Sequence, residues 1–159
     1  MTNLKQLCEF LVKAKKSTYA AGNSAKKVVQ DDKSTTLIFE DGDWKYHDNY
    51  FGGEPYGGRE VVFFQGQPFY MMVYYGWVNE SVVGFKDVYN VLQGALTQIP
   101  EGKPFRGPEK FEKDGLVYTN IFEGEVDNFF GEEVIKNENG EQIYKAKYIG
   151  GLVDKRKED

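Results

Sequence analysis

The chain has 159 residues, a net charge of −5, 40% hydrophobic and 16% aromatic residues, and a single cysteine, Cys8. Its length suits one compact domain that buries a core without disulfides or metals, and its hydrophobicity excludes a disordered chain. The acidic balance argues against a phosphate-tracking nucleic-acid surface, the lone cysteine fits a reducing compartment, and no stretch approaches the ~20 apolar residues of a membrane span, so a cytoplasmic protein with no membrane or nucleic-acid partner is expected.

In chain order, Leu4, Leu7, Cys8, Leu11 and Ala14 or Lys15 recur at helical spacing over residues 3–16, with Asn3 as N-cap and Cys8 as a core residue. The nearby basic run Lys13, Lys15, Lys16 reads as solvated surface. Residues 17–34 form a connecting segment anchored by Tyr19. Thr35 to Glu40 alternates as a strand, Asp41-Gly42 is a turn, and Trp44 to Tyr50 is its hairpin partner. Gly52, Gly53, Gly57 and Gly58 permit turns with positive φ before a strand at Glu60 to Phe64. Gln65-Gly66-Gln67 then turns the chain into Phe69 to Tyr75. A second helix spans about Val83 to Gln98, with Phe85, Val88, Val91, Leu92, Ala95 and Leu96 as its apolar face, and Pro100 ends it. The all-charged tail at 154–159 is expected to be disordered.

After the second helix the pattern recurs. Gly58, Glu60, Val61 and Val62 reappear as Gly131, Glu133, Val134 and Ile135, and Gly66, Tyr70, Tyr74 and Gly76 as Gly140, Tyr144, Tyr148 and Gly150. Leu4, Leu7, Leu11 and Ala14 match Phe85, Val88, Leu92 and Ala95. The expected fold is therefore α+β: a single domain, 1–159, of two pseudo-duplicated helix-plus-four-strand units (about 3–78 and 83–153), forming antiparallel sheet with two helices packed on one face.

The duplication also orients the strands. In the second copy Lys145 and Lys147 alternate with Tyr144, Ala146 and Tyr148, so the lysines face solvent and the others the helix. Carried across, Tyr70, Met72 and Tyr74 point inward, and Phe69, Met71, Val73, Tyr75 and Trp77 point outward as an apolar face that needs a cover. Trp44, Tyr50 and Tyr56 are expected to rim it. The cover is the 17–34 segment, a second copy, a protein partner or a small apolar or aromatic ligand.

The runs YFGGEPYGGREVVFFQGQPFYMMVYYGWV, GALTQIP, FRGP and NFFGEEVIKNENGEQIYKAKYIGGLV resemble a family of bacterial and archaeal domains of unknown function over nearly the whole chain. Some members of that family are joined to helix-turn-helix regulators, which implies a sensing or effector-binding role. A DNA reader is not expected within this chain, which begins directly with the domain. The tandem layout is also similar, at the level of fold, to the β-lactamase inhibitory protein family, whose concave aromatic sheet binds an enzyme.

Chemistry-bearing residues are sparse. His47 beside Asp48 has no second His or Cys nearby to make a zinc site, so no metal or cofactor is expected. Glu60 and Glu133 occupy equivalent positions and form either an acid–base pair or two structural carboxylates bonded by Arg59 or Arg106. Phe51 to Arg59 is rich in glycine, but a strand rather than GK[ST] and a helix follows it, so it is not a phosphate loop. The leading reading is a non-catalytic binding or sensing domain that uses the aromatic sheet surface. The alternative is a hydrolase-like or isomerase-like enzyme using Glu54, Glu60 and His47, which requires those groups to converge on one cleft.

Overall fold

The computed structural model describes residues 3–156. Helix α1 (Leu4–Ser17) starts where Asn3 Oδ1 accepts the Lys5 amide at 2.9 Å, and it buries Leu7, Phe10, Leu11, Ala14 and Lys15. A 3₁₀ turn at Tyr19–Ser24 and a two-residue strand β1 (Val28–Val29) lead into β2 (Thr35–Asp41), β3 (Trp44–Phe51), β4 (Tyr56–Phe64) and β5 (Gln67–Val78). Helix α2 (Lys86–Leu96) precedes β6 (Lys110–Lys113), β7 (Leu116–Glu125), β8 (Asn128–Lys136) and β9 (Gln142–Leu152). Of the expected charged tail, 157–159 lie outside the described residues, and Asp154 to Arg156 are exposed.

The nine strands of the described residues form one antiparallel sheet in the order β1-β2-β3-β4-β5-β9-β8-β7-β6. Helix α1 thus precedes a five-strand meander, β1–β5, whose first strand has only two residues, and α2 a four-strand meander, β6–β9; their last strands, β5 and β9, pair at the centre from Tyr70↔Leu152 to Val78↔Tyr144. Helix α1 lies against β2 and β3, α2 against β6 and β7, and the 3₁₀ turn touches both helices. The two apolar helix faces share one core with Tyr46, Val62, Tyr70, Met72, Tyr74, Tyr118, Ile135, Tyr144 and Tyr148. Side-chain alternation therefore divides the sheet into a helix-covered face and an open one.

Several local expectations need correction. Helix α2 starts at Lys86, three residues later than the sequence pattern suggests, leaving Val83 exposed and Phe85 at the N-cap, half-exposed, edge-on to Tyr89. Cys8 is only partly buried at the edge of the core, and its thiol is pushed up chiefly by that burial. Gly53, Gly57 and Gly58 do not take positive φ, the last two lying inside β4, whereas Gly52 does turn with φ 79°. What Gly58 provides is room: a Cβ there would meet the Tyr74 hydroxyl at 2.7 Å. Gly131 clears the same space beneath the Tyr148 ring on the neighbouring strand.

Candidate functional site

Two regions stand out, one on each side of the sheet. On the open side, strand register aligns a row from β4 to β7: Arg59, Val73, Ile149, Phe130, Glu123. The next row runs from β3 to β7: Phe51, Gly57, Tyr75, Lys147, Glu132, Ile121. Val73 is 46% exposed, Tyr75 53%, Phe130 52%, Ile149 61% and Ile121 76%, so one contiguous apolar patch lies open across four strands. They line a shallow open groove of about 670 Å³ with Glu123, Glu132, Val134 and Lys147. A second depression of about 430 Å³ lies on the same face over Lys45, His47, Arg59, Val61, Phe63 and Met71. Burial, with Arg59 and Lys45 nearby, pushes His47 below the usual imidazole range.

The residues expected to form this surface divide between the faces. Met71, Val73, Tyr75 and Trp77 lie on the open side, and Trp77 packs on Tyr75 with ring centroids 5.8 Å apart. Phe69 does not join them. A register shift between Val62 and Phe63 turns it toward the other face, where its ring meets Trp44 edge-on at 5.7 Å and Trp44 in turn stacks on Phe10 of α1. Trp44, Tyr50 and Tyr56 likewise belong to the helix-covered side, in register parity with the buried Tyr46, and do not rim the patch. Ile121, Phe130 and Ile149 extend it instead; their parity against the inward Tyr148 was the available signal. The 17–34 segment does not cover the patch, since its 3₁₀ turn packs on the helices and β1 extends the edge at β2.

On the covered side lies a buried polar belt. Glu133 is fully buried and accepts from Arg106 Nε at 2.7 Å and from the Tyr118 hydroxyl. In the first half Lys15, not Arg59, meets Glu60, with Nζ 2.9 Å from Oε2, while donating to the Phe105 carbonyl at 2.5 Å. The Lys15–Glu60 approach is a charge contact without hydrogen-bond alignment, and the Tyr46 hydroxyl beside Glu60 has no hydrogen-bond partner among the described residues. Burial pulls the Lys15 ammonium below its usual range, against the opposing pull of Glu60. Asp48, 1% exposed, accepts from the Tyr74 hydroxyl at 2.5 Å; burial and the neighbouring Glu60 push its carboxyl up to about 7. At the matching place in the other half, Asn120 accepts from Tyr148 at 2.7 Å.

The acid–base alternative is not supported by this geometry. Glu60 points into the covered face, while His47, one position before Glu60's cross-strand partner Asp48, points to the open one. Glu54 is a latch at the β3–β4 turn, accepting from the Val78 amide at 2.6 Å and from the Tyr89 hydroxyl of α2. The three groups do not share a cleft. Among the described residues, no group of three or more His, Cys, Asp or Glu gathers to hold a metal ion, and no helix is long and apolar enough to cross a membrane.

Neither a curated protein nor a solved structure matches the chain. A family model described as "Domain of unknown function (DUF5680)" matches residues 48–153, a stretch that begins at Asp48 and contains the whole apolar patch but not α1. The chain therefore belongs to the DUF5680 family of domains of unknown function.

Proposed function

We propose that this domain is a non-catalytic binding module whose open sheet face receives another protein surface. One observation carries the reading: Val73, Ile149 and Phe130 stand side by side on three adjacent strands, flanked by Tyr75 and Ile121, on a face that neither helix nor connecting segment covers. A sheet with one face in a core ordinarily turns polar residues to the other, so large apolar side chains there need another role. The groove is shallow and open rather than enclosing, which suits a protein surface better than a small molecule. We also read the two helix-plus-meander halves as copies of one duplicated unit, a reading supported by the sequence recurrences and by the strand order mirrored about the β5–β9 pair.

The test compares the wild-type chain with the Phe130→Lys/Ile149→Lys variant in thermal melting, uptake of an anilinonaphthalene dye and sedimentation. The wild type is expected to take up dye or to self-associate, and the variant to do neither while melting within a few degrees of it. A wild-type monomer that takes up no dye overturns the reading.

A further inference from the structure

We propose that the partner of this face is a second copy of the chain, docked sheet to sheet about a twofold axis that runs parallel to the strands between β5 and β9. The inference rests on the reading of the open face as a binding surface. It is argued from the distribution of charge and aromatic groups over the aligned rows.

A twofold operation makes an isologous contact, in which one surface must complement itself. Rotation about an axis along the strands between β5 and β9 places β5 over the partner's β9, β4 over its β8 and β3 over its β7. In the central row, Val73 then meets Ile149 of the partner subunit, and Arg59 meets the face of Phe130 of the partner subunit. In the next row, Tyr75 meets Lys147 of the partner subunit and the exposed Phe51 meets Ile121 of the partner subunit. One row further, Trp77 meets Lys145 of the partner subunit. Apolar groups thus fall on apolar groups, and each cation beside the axis falls on an aromatic ring, an attraction that strengthens as water leaves.

Charge is distributed over both halves of the face. Lys45, His47 and Arg59 gather on the first half, Lys45 already held by Glu40 at 3.6 Å, and Glu123 and Glu132 lie with Lys145 and Lys147 on the second. Arg59 and Lys147 have no ion-pair partner among the described residues, whereas Glu132 is held by Lys145 at 2.9 Å. An axis perpendicular to the strands would lay each strand on its own copy, so that through the Val73 row it would oppose Arg59 to Arg59 of the partner subunit, and through the Tyr75 row Lys147 to Lys147 of the partner subunit. The axis along the strands removes both conflicts. Aligned sheets pack at about 30° to one another, so the row-to-row match is closest beside the axis, where Val73, Tyr75, Lys147 and Ile149 lie.

Sedimentation equilibrium of the full chain over a micromolar concentration range tests this, with dye uptake measured on the same samples. The wild type is expected to dimerise. Tyr75→Lys, at an exposed position that leaves the fold intact by circular dichroism, is expected to weaken the dimer at least about tenfold by opposing two ammonium groups. Adding Lys147→Glu to that variant is expected to restore association to within about threefold of wild type, because the new pair has opposite sign. A wild-type monomer that takes up dye overturns the second copy as partner while leaving the binding reading intact; a monomer that takes up none overturns both. A dimer indifferent to Tyr75→Lys, or one not restored by Lys147→Glu, overturns the axis and with it the proposal.

Discussion

Asp48 is a buried carboxyl of the covered belt that accepts from the Tyr74 hydroxyl and is repelled by the neighbouring Glu60. Its folded value of about 7 lies above the ordinary 3.8, so the folded chain holds this proton more tightly than the unfolded chain. The resulting stabilisation is fully present below about pH 4 and is lost as pH rises through about 7. Asp48→Asn, which installs the group that Asn120 supplies in the other half, is expected to flatten this part of the pH dependence and to stabilise the chain near pH 8 by roughly 1–3 kcal/mol. Urea titrations of both chains near pH 5 and pH 8 check it; parallel slopes would place the coupling elsewhere. Arg106 makes the opposite case, because Glu133 is fully buried and would keep only the Tyr118 hydroxyl without it. Arg106→Met is expected to cost about 3–5 kcal/mol in the same titration, the usual consequence of stranding one member of a buried ion pair. Little of this belt was legible in advance. Lys15 sits in a basic run that looks solvated, and only its place one residue after Ala14 on the buried stripe of α1 hinted at its 6% exposure.

At the scale of the strand, alternation carried most of the information and bulges removed it. The lysines of β9 correctly oriented Tyr70, Met72, Tyr74 and their outward neighbours on β5, because a strand keeps period two wherever its register is unbroken. Phe69 was misplaced because the register shift at Val62/Phe63 inverts the phase at the start of β5, and nothing in the side-chain pattern marks an unpaired residue. Glycine was misread for a related reason: in-strand glycines that make room for a neighbouring ring look in sequence like turn glycines. Gly131→Ala tests the distinction, since its Cβ would press directly on the Tyr148 ring that Asn120 holds in place. A loss of about 1–3 kcal/mol is expected, with the Tyr148 ring displaced. Gly66→Ala, at φ 78° with open space around it, should cost only the conformational strain of a turn, roughly 1 kcal/mol. Equal losses at the two sites would mean that crowding under Tyr148 is relieved by backbone adjustment.

Across the whole molecule, the two helix-plus-meander halves are joined by more than the β5–β9 ladder. Lys15 of α1 bonds the Phe105 carbonyl, Arg106 donates to the Tyr56 hydroxyl at 3.3 Å, and Tyr56 and Tyr144 share a hydrogen bond. The Arg106 guanidinium also lies over the rings of Tyr19 and Tyr74, at 5.7 and 5.5 Å. Every one of these contacts crosses from one half to the other in the low-dielectric interior, where a lost partner is costly, so neither half can unfold without stranding polar groups in its neighbour. The chain offers a convenient probe, because both tryptophans, Trp44 and Trp77, lie in the first half, while far-ultraviolet circular dichroism reports both halves. The two signals are expected to follow a single transition with coincident midpoints in urea, and Arg106→Met to shift both together. If fluorescence and dichroism separate in the wild type, the halves unfold independently and the buried belt does not couple them. If they separate only in Arg106→Met, that guanidinium is the principal bridge between the halves.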